Sequence, residues 1–317
     1  MSVFTPVERS ELELFIGGYD VGRLVSHAGI EGGSENSNFF VECERGSFVL
    51  TLVERGPVDE LDFFVALLEC LHQADLPVPY AIADRQGRTI QRFKDRPALL
   101  QPRLPGRHVQ VPTIEHCAAL GAMLARLHQV SSTCGLERQS DRGPEWMLAE
   151  VTRCRRQVSP SEAELLDEAA EALRRVQQRG SQLPKAVLHA DLFRDNVMFE
   201  GHRLTGIIDF YNAASGWTLY DLAICVNDWC MSEHLRLDPL RSDALLAAYA
   251  AQRPFTASEA ECWPDLLRIA ALRFWLSRQI AVQAHADQPG VLVKEPQHFM
   301  HILEAHREVS VRLAPFI

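Results

Sequence analysis

VLHADLFRDNVMFEGHRLTGIIDF, residues 187–210, decides how the chain folds. The apolar run from Ala186 to His189 reads as a short strand that delivers a carboxylate, Asp191, into a turn. Five positions later stands Asn196, which offers a neutral amide oxygen. Residues 196–200 and 204–209 then read as the two strands of a hairpin around Gly201, the second ending on Asp209. A hairpin brings its outer ends together, so Asn196 and Asp209 are expected side by side. One amide oxygen beside one carboxylate makes a hard oxygen site for Mg2+, an ion that keeps waters and takes phosphate oxygens. Asp191 then stands where a carboxylate accepts the proton of an attacking hydroxyl. Taken singly, Asp191 or Asp209 reads equally as a turn cap and His189 as a structural hydrogen-bonder. The spacing of Asp191, Asn196 and Asp209 together points to phosphoryl transfer.

Outward from this island the chain has two textures. Upstream, SNFFVEC (37–43), SFVLTLVE (47–54), GRTIQRF (87–93) and ALLQPRL (98–104) are short runs rich in β-formers, bounded by Gly, Asp-Arg or Pro. PVDELDFFVALLECLHQADL (57–76) intervenes with apolar residues at helical spacing behind an acidic first turn. The first hundred residues thus read β-β-α-β-β. The remainder is helix-rich: residues 113–130, with Thr113 as N-cap, 161–179 and 264–286 are amphipathic. Pro102, Pro105 and Gly106 interrupt both periodicities and place a boundary near 99–107.

The 317 residues are 47% hydrophobic and 23% charged, with a formal net charge of -10. An acidic chain has no global field to hold nucleic acid or an anionic membrane surface, and no apolar run is long enough for a membrane span. Eight cysteines follow no Cys-x-x-Cys or metal-ligand rhythm. The N-terminus lacks a signal-peptide design, so a reduced, cytoplasmic setting is expected. Of 32 basic residues only three are lysines, Lys94, Lys185 and Lys294. Oligomeric state is not readable from the sequence.

His189-x-Asp191-Leu192-x-x-x-Asn196 followed by Ile208-Asp209-Phe210 resembles the catalytic loop and metal aspartate of protein-kinase-like enzymes. With Tyr220-Asp221-Leu222-Ala223 downstream, the stretch looks specifically like the aminoglycoside phosphotransferase and choline kinase branch. Within that branch HAGIEGGSENSNFFVE (27–42), FVLTLVE (48–54) and HADLFRDNV (189–197) are most similar to bacterial homoserine kinases of the phosphotransferase type, and the resemblance runs over nearly the whole chain. It implies an α+β, two-lobed protein-kinase-like fold. A small, mainly antiparallel-sheet N-terminal lobe with one helix (1–101) would bind nucleotide. A larger helical C-terminal lobe (102–317) would carry catalysis and acceptor. ATP, Mg2+ and the side-chain hydroxyl of L-homoserine, for threonine biosynthesis, follow as cosubstrate, metal and acceptor.

Carried over residue by residue, the resemblance makes Asp191 the base, Asn196 and Asp209 the metal ligands, and Asp221 the buried brace of the catalytic loop, with His189 in structural support. Gly33, Ser34 and Asn36 fall in the phosphate-covering hairpin, and Gln101 and Arg103 in the strap whose backbone meets the adenine edge. Thr51 falls where the branch usually places a phosphate-binding lysine or arginine, so its side chain is expected to face the nucleotide rather than the core. Lys94 sits in an apparent turn and is no obvious substitute. Tyr211 and Asn212 border the acceptor site by following the metal aspartate. Arg273, Trp275 and Arg278 of one late helix are expected in the acceptor region, with Arg278, three residues after Trp275 and on its face, as carboxylate clamp and Asp195 or Asp228 on the ammonium. Rival readings keep the chemistry with choline, ethanolamine, methylthioribose or an aminoglycoside as acceptor, or make the chain a non-catalytic ATP-binding pseudokinase.

Overall fold

A computed structural model describes residues 5–30, 36–54, 58–284, 294–307 and 312–313. Two units separate by their internal contacts: Met1–Gly106 with Thr205–Ile208, and Arg107–Leu204 with Asp209–Ile317.

The first unit is an antiparallel sheet with helices. Strands β1 (Leu24–Gly29), β2 (Ser37–Cys43), β3 (Gly46–Leu52), β4 (Gln91–Phe93) and β5 (Arg96–Pro102) run in the order β1-β2-β3-β5-β4. Alternation along β2 and β3 sends Phe39, Val41, Leu50 and Leu52 to one face. There they bury against Leu12 and Ile16 of α1 (Arg9–Ile16). Helix α2 (Leu61–Gln73) buries the stripe Leu61, Phe64, Leu67, Leu68 and Leu71. The expectation of one helix and four strands is thus short by α1 and β1. Strand β1 buries only Leu24 fully and shows no clean alternation, while α1 spans just eight residues; neither leaves a strong periodic signal.

In the second unit, α3 (Ile114–Ser131) starts on Thr113, whose hydroxyl accepts the His116 N–H. It lies against α7 (Pro239–Gln252) so closely that a Cβ on Gly121 would stand 2.1 Å from the Leu245 carbonyl oxygen. Helices α4 (Pro144–Cys154) and α5 (Pro160–Arg179) follow, α5 opening on a Ser159–Glu162 capping box. Strand β6 (Lys185–Leu188) pairs antiparallel with β9 (Ala214–Trp217), and β7 (Val197–Glu200) follows; β8 (Arg203–Ile207) begins in this unit, and its residues from Thr205 on belong to the first. Helix α6 (Thr218–Trp229) carries Asp221 in its first turn. The long α8 runs from Ala257 to Ala284, starting before the Pro264 at which the sequence reading opens it, and α9 (Gln297–Ala305) follows. No described helix is long and apolar enough to cross a membrane.

Candidate active site

The catalytic-loop candidate lies between β6 and β7 of the second unit, and its shape is held by one buried carboxylate. Asp221, wholly buried, accepts the N–H groups of His189 and Ala190 at 2.8 Å each, one on each oxygen. Its Oδ2 also meets His128 Nε2 at 3.1 Å, and His128 Nδ1 meets the Tyr249 hydroxyl at 2.7 Å. Burial acts to raise the Asp221 pKa, yet the hydrogen bond and charge of His128, with His189, hold it below the ordinary value. An ionised carboxylate facing two N–H groups and an imidazole is a satisfied buried charge. The loop it grips is bent: Ala190 stands at φ 62°, a region that resists bulky side chains.

This bend turns Asp191 outward. Its N–H donates to His189 Nδ1 at 3.2 Å, and its side chain keeps 21% of its surface exposed. Burial nevertheless pushes its carboxyl up to about 6, with Asp209 and Asp195 adding and Arg273 and His189 opposing. His189 itself is fully buried against Phe210, with ring centroids 4.6 Å apart. Asn196 is 8% exposed, and its Nδ2 donates to the Asp191 carbonyl at 2.8 Å. That bond fixes the amide so that Oδ1 is its unspent end. Asp209 follows β8 in the left-handed region, φ 64° and ψ 62°, a conformation Asp tolerates better than most residues. One amide oxygen and one carboxylate suit Mg2+, which takes few protein ligands and fills its shell with water and phosphate oxygens. Among the described residues no group of three His, Cys, Asp or Glu is placed to hold a metal ion.

Beyond Asp209, a short 3-10 turn (Phe210–Asn212) brings Asn212 back to the base: its Nδ2 lies 3.4 Å from Asp191 Oδ2. Tyr211 is partly buried beside it. Arg273 of α8 closes a triangle, Nη2 reaching Asn212 Oδ1 at 3.3 Å and Nη1 standing 3.8 Å from Asp191 Oδ1. Of the three α8 residues expected in the acceptor region, Arg273 is the one beside Asp191. Trp275 is 1% exposed, a core side chain. Arg273, two residues earlier and so about 200° round the helix, is the side chain that approaches Asp191. Arg278 packs over the Phe299 ring at 4.4 Å and donates to the Glu295 carbonyl at 3.0 Å. It makes no described hydrogen bond to Asp191 or Asn212. Tyr220, pushed up to about 12 by burial with Asp221 and Asp191 adding, also lies in the field of Arg273 and Arg142.

The two acids considered for an ammonium differ. Asp228 is engaged by Arg194, accepting its N–H at 2.8 Å and its guanidinium at 3.2 Å on both oxygens. Asp195 pairs with Lys294 at 2.7 Å, both side chains more than half exposed, a pair that contributes little and is easily displaced.

In the first unit, Gly33 and Ser34 lie outside the described residues, while Asn36 is buried and its Oδ1 accepts the Glu54 N–H at 3.2 Å. Thr51 lies on the sheet face opposite Leu50 and Leu52. It is 4% exposed, and its hydroxyl donates to Asn38 Oδ1 at 2.7 Å, so it presents no open side chain. Lys94 occupies a hairpin turn with Asp95, φ 54° and 59°, and its ammonium is paired with Glu11. The Gln101 amide donates to the Pro79 carbonyl at 2.8 Å. Arg103 lies 4.0 Å over Phe40, and its N–H donates to Ser47 at 3.0 Å. That last bond removes the Arg103 N–H from any contact with a base and narrows the strap's expected contribution.

Residues 26–255 match the model of the phosphotransferase enzyme family. A homoserine kinase from Pseudomonas aeruginosa strain LESB58 is 53% identical over all of this chain and 99% of its own length. One from Methylobacillus flagellatus is 39% identical over 96% of this chain and 95% of its own. Among solved structures, a spectinomycin phosphotransferase in complex with ADP and spectinomycin superposes with TM-score 0.68 at 13% identity, covering 96% of this chain and 99% of that one. An amicoumacin kinase bound to AMP-PNP and Ca2+ reaches the same TM-score at 15% identity, over 95% and 93%. The protein-kinase-like α+β fold is therefore this chain's fold. The chain belongs to the phosphotransferase enzyme family, alongside its homoserine kinase relatives.

Proposed function

We infer that this chain is an ATP- and Mg2+-dependent kinase that phosphorylates the side-chain hydroxyl of L-homoserine, a step of threonine biosynthesis. The observation that carries the reading is full-length similarity to homoserine kinases at 53% identity, joined to the grouping of Asp191, Asn196 and Asp209 in one unit. The acceptor is a small molecule, in keeping with a net charge of -10 that offers no field to nucleic acid or anionic lipid. A cytoplasmic place of work goes with the reading. The first unit is read as the nucleotide-binding part, with the backbone near Asn36 and Gln101 meeting the phosphates and base.

Asp191 orients the acceptor hydroxyl and takes its proton as the oxygen attacks the terminal phosphorus of ATP; the P–O bond to ADP breaks and O-phosphohomoserine leaves. Phosphoryl transfer asks mainly for positioning and neutralisation of charge. Asn212 and Arg273 hold the Asp191 carboxylate from two sides, and Asp221 keeps the loop beneath it from shifting. Asn196 and Asp209 would hold Mg2+, which supplies neutralisation of the phosphate oxygens when bound. Asp195, in an exposed pair, is the better placed of the two acids for the substrate ammonium, because Asp228 is already neutralised by Arg194.

The test is turnover over a panel of homoserine, choline, ethanolamine, methylthioribose and an aminoglycoside with Mg-ATP, the product identified by mass. Homoserine should lead the panel in kcat/KM. Preference for choline or an aminoglycoside would move the substrate elsewhere, and no turnover with any acceptor would favour a pseudokinase.

A further inference from the structure

Arg273 is the one charge in the stretch from Ile269 to Leu276 of α8, and 5% of the residue is exposed. A guanidinium so placed has five N–H donors. Among the described residues Arg273 makes one hydrogen bond, from Nη2 to the neutral Asn212 amide, and its 3.8 Å approach to Asp191 is too long to be another. Its plane lies over Phe274, 3.9 Å from guanidinium carbon to ring centroid, which fixes the fork's orientation. A cation held in a desolvated place with donors to spare is expensive unless an anion joins it.

Which anion follows from what is already there. Asp191 is the neighbour, and a hydroxyl engaging it sits beside the guanidinium. In homoserine four bonds separate the hydroxyl oxygen from the carboxyl carbon, so a substrate whose hydroxyl is on Asp191 can lay its carboxylate on the same arginine. Arg142, exposed on the segment before α4, adds positive field at this place, acting on Arg273 and Tyr220. Arg142 follows Arg138, whose backbone exchanges hydrogen bonds with Ser215 and whose guanidinium donates to the Ala213 carbonyl at 3.2 Å. The segment is thereby tied to the chain just beyond Asn212. Arg278, by contrast, has a donor committed to Glu295 and carries Asp228 and Asp195 in its surroundings.

Resting on the kinase reading above, we propose that Arg273 receives the α-carboxylate of the amino-acid acceptor and so sets specificity for an amino acid over a simple amino alcohol.

The experiment compares L-homoserine with 3-aminopropan-1-ol, the same molecule lacking its carboxylate, in wild type, Arg273→Gln, Arg273→Lys and Arg278→Gln. Any loss that comes from disturbing Asp191 strikes both acceptors and cancels in the ratio of their kcat/KM values. The ratio in favour of homoserine should fall roughly 30- to 1,000-fold in Arg273→Gln, less in Arg273→Lys, and within about threefold of wild type in Arg278→Gln. If Arg273→Gln is too unstable to purify, the Arg273→Lys ratio decides, because a point charge cannot reproduce the two-pronged contact. An unchanged ratio in both Arg273 variants, or a collapse confined to Arg278→Gln, would overturn the clamp while leaving the kinase reading standing. Failure of wild type to phosphorylate homoserine would overturn both.

Discussion

As the proposed base, Asp191 is asked to do two things that its surroundings set against each other. It must be exposed enough to meet a substrate, and basic enough to hold a proton as the hydroxyl attacks. Burial gives the second, pushing the carboxyl up to about 6, close to the range suited to a general base near neutral pH. The sign of the consequence is fixed: the ionised form is the base, so protonation removes activity. The kcat/KM for homoserine should therefore fall tenfold per pH unit below about 6 and level off above it. A profile flat from pH 7 to pH 5 would show that no such group controls the reaction. Asp191, Asn196 and Asp209 could be picked out as candidates from sequence because they lie within one short loop-and-hairpin stretch. Sequence places Arg273 in the acceptor helix but favours Arg278 as clamp, because Arg278 shares a helix face with Trp275, and Trp275 is a core residue. A usable signal was present: an isolated arginine between Ile269 and Leu276, in a helix buried on all sides there, must have an anionic partner.

At the scale of elements, the site depends on α6 presenting Asp221 from its first turn to the loop between β6 and β7. The N-terminal end of a helix favours a negative charge, and here that charge accepts two backbone N–H groups and an imidazole. Asp221→Asn leaves one acceptor where two are needed and aims an amide N–H2 at a backbone N–H. It should cost about 2–4 kcal/mol of stability, and kcat should fall more than KM for homoserine rises, because the loop rather than the binding surface is disturbed. Calorimetry and steady-state kinetics on the same preparation check both parts; a melting temperature and kcat equal to wild type would remove Asp221 from the brace. Elements with strong periodicity, such as α3 and α5, could be read from sequence alone. Those that make their contacts with few apolar residues could not: β1 with one fully buried residue, and α1 with two.

Across the whole molecule, stability is coupled to protonation through buried groups far from the base. His306, at the end of α9, is 4% exposed, and its Nε2 meets Asn227 Oδ1 at 2.7 Å on α6. Burial, with the charge of Arg268 adding, pushes its imidazole from 6.5 down to about 4. In this window the unfolded chain binds the proton and the folded one does not. The contribution of His306 is full above about 6.5 and drains away as pH falls toward 4, up to about 3 kcal/mol. Urea unfolding of wild type and His306→Gln at pH 7 and pH 5 should show the difference between them shrinking at the lower pH. Equal pH slopes would contradict it. Such long-range packing is the part of the molecule least visible in sequence, since nothing local to His306 announces Asn227, 79 residues away.

Formation of O-phosphohomoserine with Asp191 as base is checked by following that product by mass in wild type and Asp191→Asn, with Mg-ATP and homoserine at saturation. Wild type should form the product, and Asp191→Asn should form it at least about 100-fold more slowly while its affinity for Mg-ATP stays unchanged. Turnover by Asp191→Asn within about fivefold of wild type would contradict the account.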